Sequence, residues 1–118
     1  MRVHSALGPG LPERIYAAAL THELQRREID VSLEVPVTVV YEGRDVGLLR
    51  LDLVVDGSIV VELKVVEQVL DLHLAQLVSY LRAGCYPLGL LINFNVAHQR
   101  DGIYRRLNAA AIKRESPP

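Results

Sequence analysis

Apolar and polar positions along the chain change period several times, and the changes divide it into elements. Val31–Tyr41 alternates and is rich in β-branched residues, the pattern of a strand, and Pro36 within it predicts an edge strand or a bulge. Glu42-Gly43 turns the chain into a second strand from about Val46 to Val55, and Asp56-Gly57-Ser58 turns it into a third, Ile59–Val66. Together these three read as an antiparallel meander. A helical stretch precedes them. It opens at Pro12 after the helix-breaking Gly8-Pro9-Gly10, carries Ile15, Ala19, Leu20 and Leu24 on an apolar face, and closes at Arg26-Arg27-Glu28. A second helix follows them, from Asp71 to about Ala83 with Gly84 as its C-terminal signal; Leu70, Leu74, Leu77, Val78 and Leu81 form its core stripe. Pro87–Phe94 is a short apolar run of buried-strand type. In Asn95–Asn108 an Asp101-Gly102 turn leads into a short element that the pattern does not type. The order helix, three strands, helix, strand predicts an α/β (mixed α+β) sandwich, a four-stranded mixed sheet flanked by helices.

Three charges interrupt the apolar hairpin Leu51–Val66: Asp52, Glu62 and Lys64. With a three-residue loop in which Gly57 takes a positive φ, Val55 faces Ile59, Leu53 faces Val61 and Asp52 faces Glu62. Side chains alternate along a strand, so Glu62 and Lys64 point to the same side. Carboxylates opposed across a strand pair repel, and a divalent cation would neutralise them. A wet strand face that alternates Val with Glu and Lys gives a similar pattern. This face, however, also carries Val54, Val60 and Val66, more apolar than a free surface should be. On the first helix Glu13 and Tyr16 are three apart and share a face, and Glu13 complements the helix dipole whether or not it does more. Gln76 and Tyr80, four apart on the second helix, are either a solvated polar pair or part of a site.

Composition narrows the picture without deciding it. At 118 residues the chain is long enough for one core, and residues 1–110 read as a single domain with a disordered tail over 111–118, ending in KRESPP. A net charge of −1 gives no global attraction to nucleic acid, so such binding requires a local basic patch; Arg14, Arg26, Arg27, Arg82, Arg105 and Arg106 are its candidates. The one cysteine, Cys85, excludes an internal disulfide framework, and no Cys or His pairs stand at zinc-ligand spacing. With neither a secretory signal nor an apolar run long enough to span a bilayer, a soluble, cytoplasmic protein is expected.

Gly10-Leu11-Pro12-Glu13-Arg14-Ile15-Tyr16 matches a G-x-x-E-x-x-Y signature, and the chain resembles the GxxExxY protein family of the PD-(D/E)XK, or restriction endonuclease-like, nuclease superfamily. The resemblance continues through the Asp52 strand, VVELKVVE, AQLVSYL, GLLINFNV and DGI, roughly Val3 to Leu107. It implies the αβββαβ core that the pattern predicts. It further implies that Asp52 and Glu62 are metal-binding carboxylates, although Leu51 stands where the motif's name has Pro, and that Lys64 orients or activates water. By the same resemblance Glu13 assists the metal site, Gln76 and Tyr80 form a Q-x-x-x-Y element lining the site and the nucleic-acid path, and the Leu63 backbone carbonyl is a further metal ligand. The implied function is a Mg²⁺-dependent nuclease, with Mn²⁺ as the second candidate ion, that hydrolyses phosphodiester bonds in DNA or RNA. The alternative is a catalytically inactive nuclease-fold module that binds nucleic acid or a protein partner. So short a chain is also compatible with a homodimer or a larger assembly that supplies substrate-binding surface in trans.

Overall fold

A computed structural model describes residues 2–115 of the chain, with side chains through residue 112. The elements are α1 (Arg2–Leu7), α2 (Glu13–Arg26), β1 (Val31–Tyr41), β2 (Arg44–Val55), β3 (Ile59–Lys64), α3 (Asp71–Gly84), β4 (Leu88–Asn93), a 3₁₀ turn (Gln99–Gly102), β5 (Ile103–Leu107) and α4 (Ala109–Glu115). The strands form one five-stranded sheet in the order β1-β2-β3-β4-β5. β1–β2 and β2–β3 are antiparallel hairpin pairs, whereas α3 carries the chain across so that β4 lies parallel to β3; β5 then returns antiparallel. This is the mixed, helix-flanked sheet expected, with one strand more. The added strand is β5, where Ile103 and Leu107 are exposed and arginines stand between, so no apolar alternation marked it.

Each face of the sheet has its own core. Val3 of α1 and Tyr16 and Leu20 of α2 pack with Leu53, Val61, Leu63, Ile92 and Phe94 on one face. On the other, Leu77 and Leu81 of α3 pack with Leu51, Val54, Val60 and Leu91. Val54 and Val60, the valines of the suspected wet face, are therefore covered by α3. Gly89 of β4 permits this approach, because a Cβ there would press into the Leu77 side chain at 2.8 Å.

Several boundaries differ from expectation for physical reasons. β3 ends at Lys64 rather than Val66, because the Asn93 side chain takes over Val66's backbone pairing: Val66 N–H donates to Asn93 Oδ1 (3.1 Å) and Asn93 Nδ2 donates to the Val66 carbonyl (2.9 Å). Gly84 is the last residue of α3, and Cys85, at φ 58°, takes the left-handed position beyond it. Glycine is required at 84 because Tyr86's ring packs where a side chain would stand. Pro36 does lie on an edge strand, the kind of strand that tolerates proline. α4 runs through Glu115 in the stretch expected as a disordered tail, and residues 116–118 lie outside the described residues. Among the described residues no helix is long and apolar enough to cross a membrane.

Candidate active site

The β2–β3 hairpin has the register read from its loop: Val55 pairs with Ile59, Val54 with Val60 and Leu53 with Val61. Asp56 and Gly57 both take positive φ, as a tight turn with a right-handed strand twist demands. Backbone pairing then stops. At the next rung the strands fork, and the carboxylates of Asp52 and Glu62 fill the fork. Asp52 N–H donates to Glu62 Oε1 at 3.1 Å, and Leu63 N–H donates to Asp52 Oδ2 at 2.8 Å. Each acid thus satisfies a main-chain donor that the fork would leave unpaired, and is held in place by it.

β1 and β2 also change face at this rung. Val31 packs with the α2-side core but Val35 and Val37 with the α3-side core; on β2, Leu53 belongs to the first and Leu51 to the second. The residue opposite Asp52, between the Leu33–Leu53 and Val35–Leu51 pairs, is Glu34, which has φ 50° in mid-strand. A non-glycine residue in that region is strained, and such strain concentrates where structure serves a site. Glu34, Leu33 and Asp52 line a cavity of about 590 Å³ together with Glu13, Arg14 and Ala17 from the first turns of α2. Sequence reasoning did not single out Glu34, because Leu33, Val35 and Val37 alternate without a break.

Tyr16 fixes the start of α2. Its side chain is fully buried and stacks on Phe94 with ring centroids 4.2 Å apart. Its hydroxyl donates to the Gly8 carbonyl and accepts from Leu11 N–H. The tyrosine of the signature is thereby a pin, and its work is to seat the helix turn that presents Glu13 at the rim.

The electrostatics centre on Asp52. Glu62, only 7% exposed, has its pKa pushed up to about 8, first by burial and then by the Asp52 charge, with Lys64 opposing. Glu13 is also raised, by burial and then by the Asp52 charge, and Lys64 again opposes. Both glutamic acids are thus electrostatically coupled to Asp52. Asp52, Glu62, Glu13 and Lys64 are therefore brought together. Gln76 is exposed on α3 and Tyr80 packs against the α3-side core, and among the described residues no hydrogen bond joins either to the carboxylates. Arg26 and Arg27 are engaged with Glu23, at 3.7 and 3.2 Å, which leaves Arg14 as the arginine of α2 that faces the site's cavity.

The donor set suits a hard divalent cation. Among the described residues no three His, Cys, Asp or Glu side chains form a ligating cluster. The acids meet instead pairwise on Asp52, and Mg²⁺ commonly takes only one or two carboxylates, with water and phosphate oxygens completing its shell. Asp52 and Glu62 each commit one oxygen to the main chain and keep the other, so the pair supplies that number.

A search of curated proteins finds no match, and neither does a search of solved structures. A family model does match, over residues 1–107, a span that takes in α1 through β5 and every one of the site's residues. On that match the chain belongs to the PD-(D/E)XK nuclease superfamily.

Proposed function

We propose that this protein is a metal-dependent nuclease that hydrolyses phosphodiester bonds in DNA or RNA, with Asp52, Glu62 and Lys64 as its catalytic centre. The observation that carries the reading is the forked rung, where two carboxylates converge on a lysine-bearing strand end. PD-(D/E)XK nucleases commonly use divalent metals, and Mg²⁺, or Mn²⁺ in its place, is the ion proposed for this chain. Asp52 and Glu62 would hold the ion through their uncommitted oxygens, with the Leu63 carbonyl beside them and Glu13 closing the rim. When bound, such an ion polarises the phosphoryl oxygen and lowers the pKa of its water.

The remaining work falls to the chain's own groups. Lys64 supplies positive charge where negative charge develops on phosphorus oxygens or on the attacking water. Arg14, in the same cavity as Glu13 and Asp52, is placed to take a phosphate of the strand. Leu33 and Ala17 offer an apolar wall against which a sugar or base can rest. Gln76 and Tyr80 of α3 are proposed to line the site and the nucleic-acid path, as the resemblance implies. The resemblance to the GxxExxY family agrees with this assignment at Glu13, with Tyr16 acting through the helix turn it seats.

The test is cleavage of labelled single- and double-stranded DNA and RNA by purified protein across a Mg²⁺ titration. Metal-dependent cleavage that disappears in Asp52→Ala and in Lys64→Ala is expected. Cleavage undiminished in both variants refutes the assignment, and binding without turnover at every metal concentration identifies the non-catalytic module instead.

A further inference from the structure

β1 and β2 run on past the rest of the sheet. β3 pairs with β2 only over residues 53–55 of β2, whereas the β1–β2 ladder continues from the Val35–Leu51 pair out to the Tyr41–Arg44 pair. Residues 37–49 therefore form a two-stranded arm, and α3 supports it at its base, where Val37 packs with the α3-side core. Residues opposed across a strand pair point to one side, and neighbours along a strand point to opposite sides. Val37 and its partner Leu49 face α3, so Thr38 and its partner Leu48 face away from it, with Val40, Pro36 and Arg50 on the same side. Nothing covers that side: each of these residues is exposed, Val40 to 61% and Leu48 to 55%. A two-stranded ribbon is marginal in water without a layer packed on it, and Val40 and Leu48 are the residues such a layer would bury.

The charges on this side indicate what the layer is. Asp45, the partner of Val40, stands toward the tip and Arg50 at the base, roughly 15 Å apart along β2. Leu48 and Val40 lie between them. Among the described residues neither charge takes part in an ion pair. Asp45 commits one oxygen, Oδ1, to Gly47 N–H at 3.1 Å, beside the bulge at which Val46 is the extra residue of β2. A face with an acid at one end, a base at the other and an apolar centre is complementary to itself turned end for end. A two-fold axis near the Thr38–Leu48 rung sets Asp45 of each copy against Arg50 of the other and brings the apolar centres together. Nucleic acid fits this face poorly, because residues 37–50 carry Glu42 and Asp45 against Arg44 and Arg50 and so have no net charge to offer phosphates.

We propose that the bare face of the β1–β2 arm is a homodimer interface in which two copies of the chain lie antiparallel, Asp45 of one against Arg50 of the other. The inference goes beyond the nuclease reading and does not depend on it, since its test measures association and not cleavage. That test is sedimentation equilibrium of the full chain at low salt, from micromolar to millimolar concentration. The wild type should show a monomer–dimer equilibrium. Arg50→Glu and Asp45→Lys each bring like charges together at both ends of the contact and should weaken association about tenfold or more. The double variant Asp45→Lys/Arg50→Glu should restore it, as should an equimolar mixture of the two single variants, because opposite charges then meet again. This rescue separates a lost ion pair from a lost fold. Leu48→Lys should also dissociate the dimer, whereas Leu72→Lys, at a leucine of α3 that is 64% exposed, should leave it intact. A wild type that stays monomeric at millimolar concentration overturns the proposal. So does a dimer indifferent to Arg50→Glu, or single variants that neither the double variant nor the mixture rescues. A monomer whose oligonucleotide binding falls in Leu48→Lys assigns the face to nucleic acid and overturns the homodimer as well.

Discussion

Glu62→Gln in the metal-free protein isolates the electrostatic cost of the forked rung. Glu62 is buried, beside Asp52, and its pKa is pushed up to about 8 from an ordinary 4.5, by burial first and by the Asp52 charge second. A carboxyl group raised in the folded state binds its proton more tightly there than in the unfolded chain. Its stabilising contribution is therefore complete below about pH 4.5 and is lost as pH rises through about 8. The interval between these values corresponds to at most about 5 kcal/mol, at about 1.4 kcal/mol per pH unit. That is a large part of the 5–15 kcal/mol or so by which domains are stable. Glutamine keeps an Oε1 to accept Asp52 N–H but cannot ionise. Urea unfolding in EDTA from pH 5 to pH 9 should show wild-type stability falling over this range. The variant should change much less and become the more stable of the two at pH 9. Parallel pH profiles for the two proteins would refute the reasoning, because the falling limb would then belong to other groups. Saturating Mg²⁺ should flatten the wild-type profile, since a bound cation stabilises the ionised pair and displaces the proton.

Three further outcomes follow from single contacts. Tyr16→Phe removes the hydroxyl between the Gly8 carbonyl and Leu11 N–H and should cost about 1–2 kcal/mol in urea unfolding, with cleavage reduced as Glu13's helix turn loosens. Gly102→Ala forces a methyl group against the Asn93 carbonyl and should lower stability by about 1–3 kcal/mol, read by thermal denaturation. Arg14→Ala should weaken oligonucleotide binding by about fivefold to tenfold, as for one charge-assisted contact, while Arg26→Ala leaves it unchanged because that side chain is engaged with Glu23; fluorescence anisotropy in EDTA compares them.

The hairpin was the most legible part of the chain. A three-residue turn around Gly57 leaves one register in which the valines and leucines of both strands pair, and that register sets Asp52 opposite Glu62. What the pattern could not convey is that backbone pairing stops at that rung and the carboxylates bond the main chain in its place. Apolar periodicity records which side is buried, not whether the ladder continues. The face switch at Glu34 was hidden for a related reason: Leu33 and Val35 keep the strand's spacing, although Leu33 lines the cavity and Val35 packs against the α3-side core. Asn93 lies within the apolar run Pro87–Phe94, yet its amide replaces backbone pairing at Val66 and its carbonyl anchors Gln99. Such contacts join residues distant in sequence, and no local pattern carries them. Gln76 and Tyr80 illustrate the reverse case, since their spacing on α3 was plain but among the described residues no hydrogen bond ties them to the acids.

The central claim is that Asp52 and Glu62 together seat a divalent cation, and calorimetric titration with Mg²⁺ and Mn²⁺ tests it most directly. Wild-type protein should bind the ion with an affinity that rises with pH as the Glu62 proton is displaced. Glu62→Ala and Asp52→Asn, shown by circular dichroism to be folded, should lose that binding. Equal binding by wild type and both variants, or no binding by the wild type at any pH, would contradict the account.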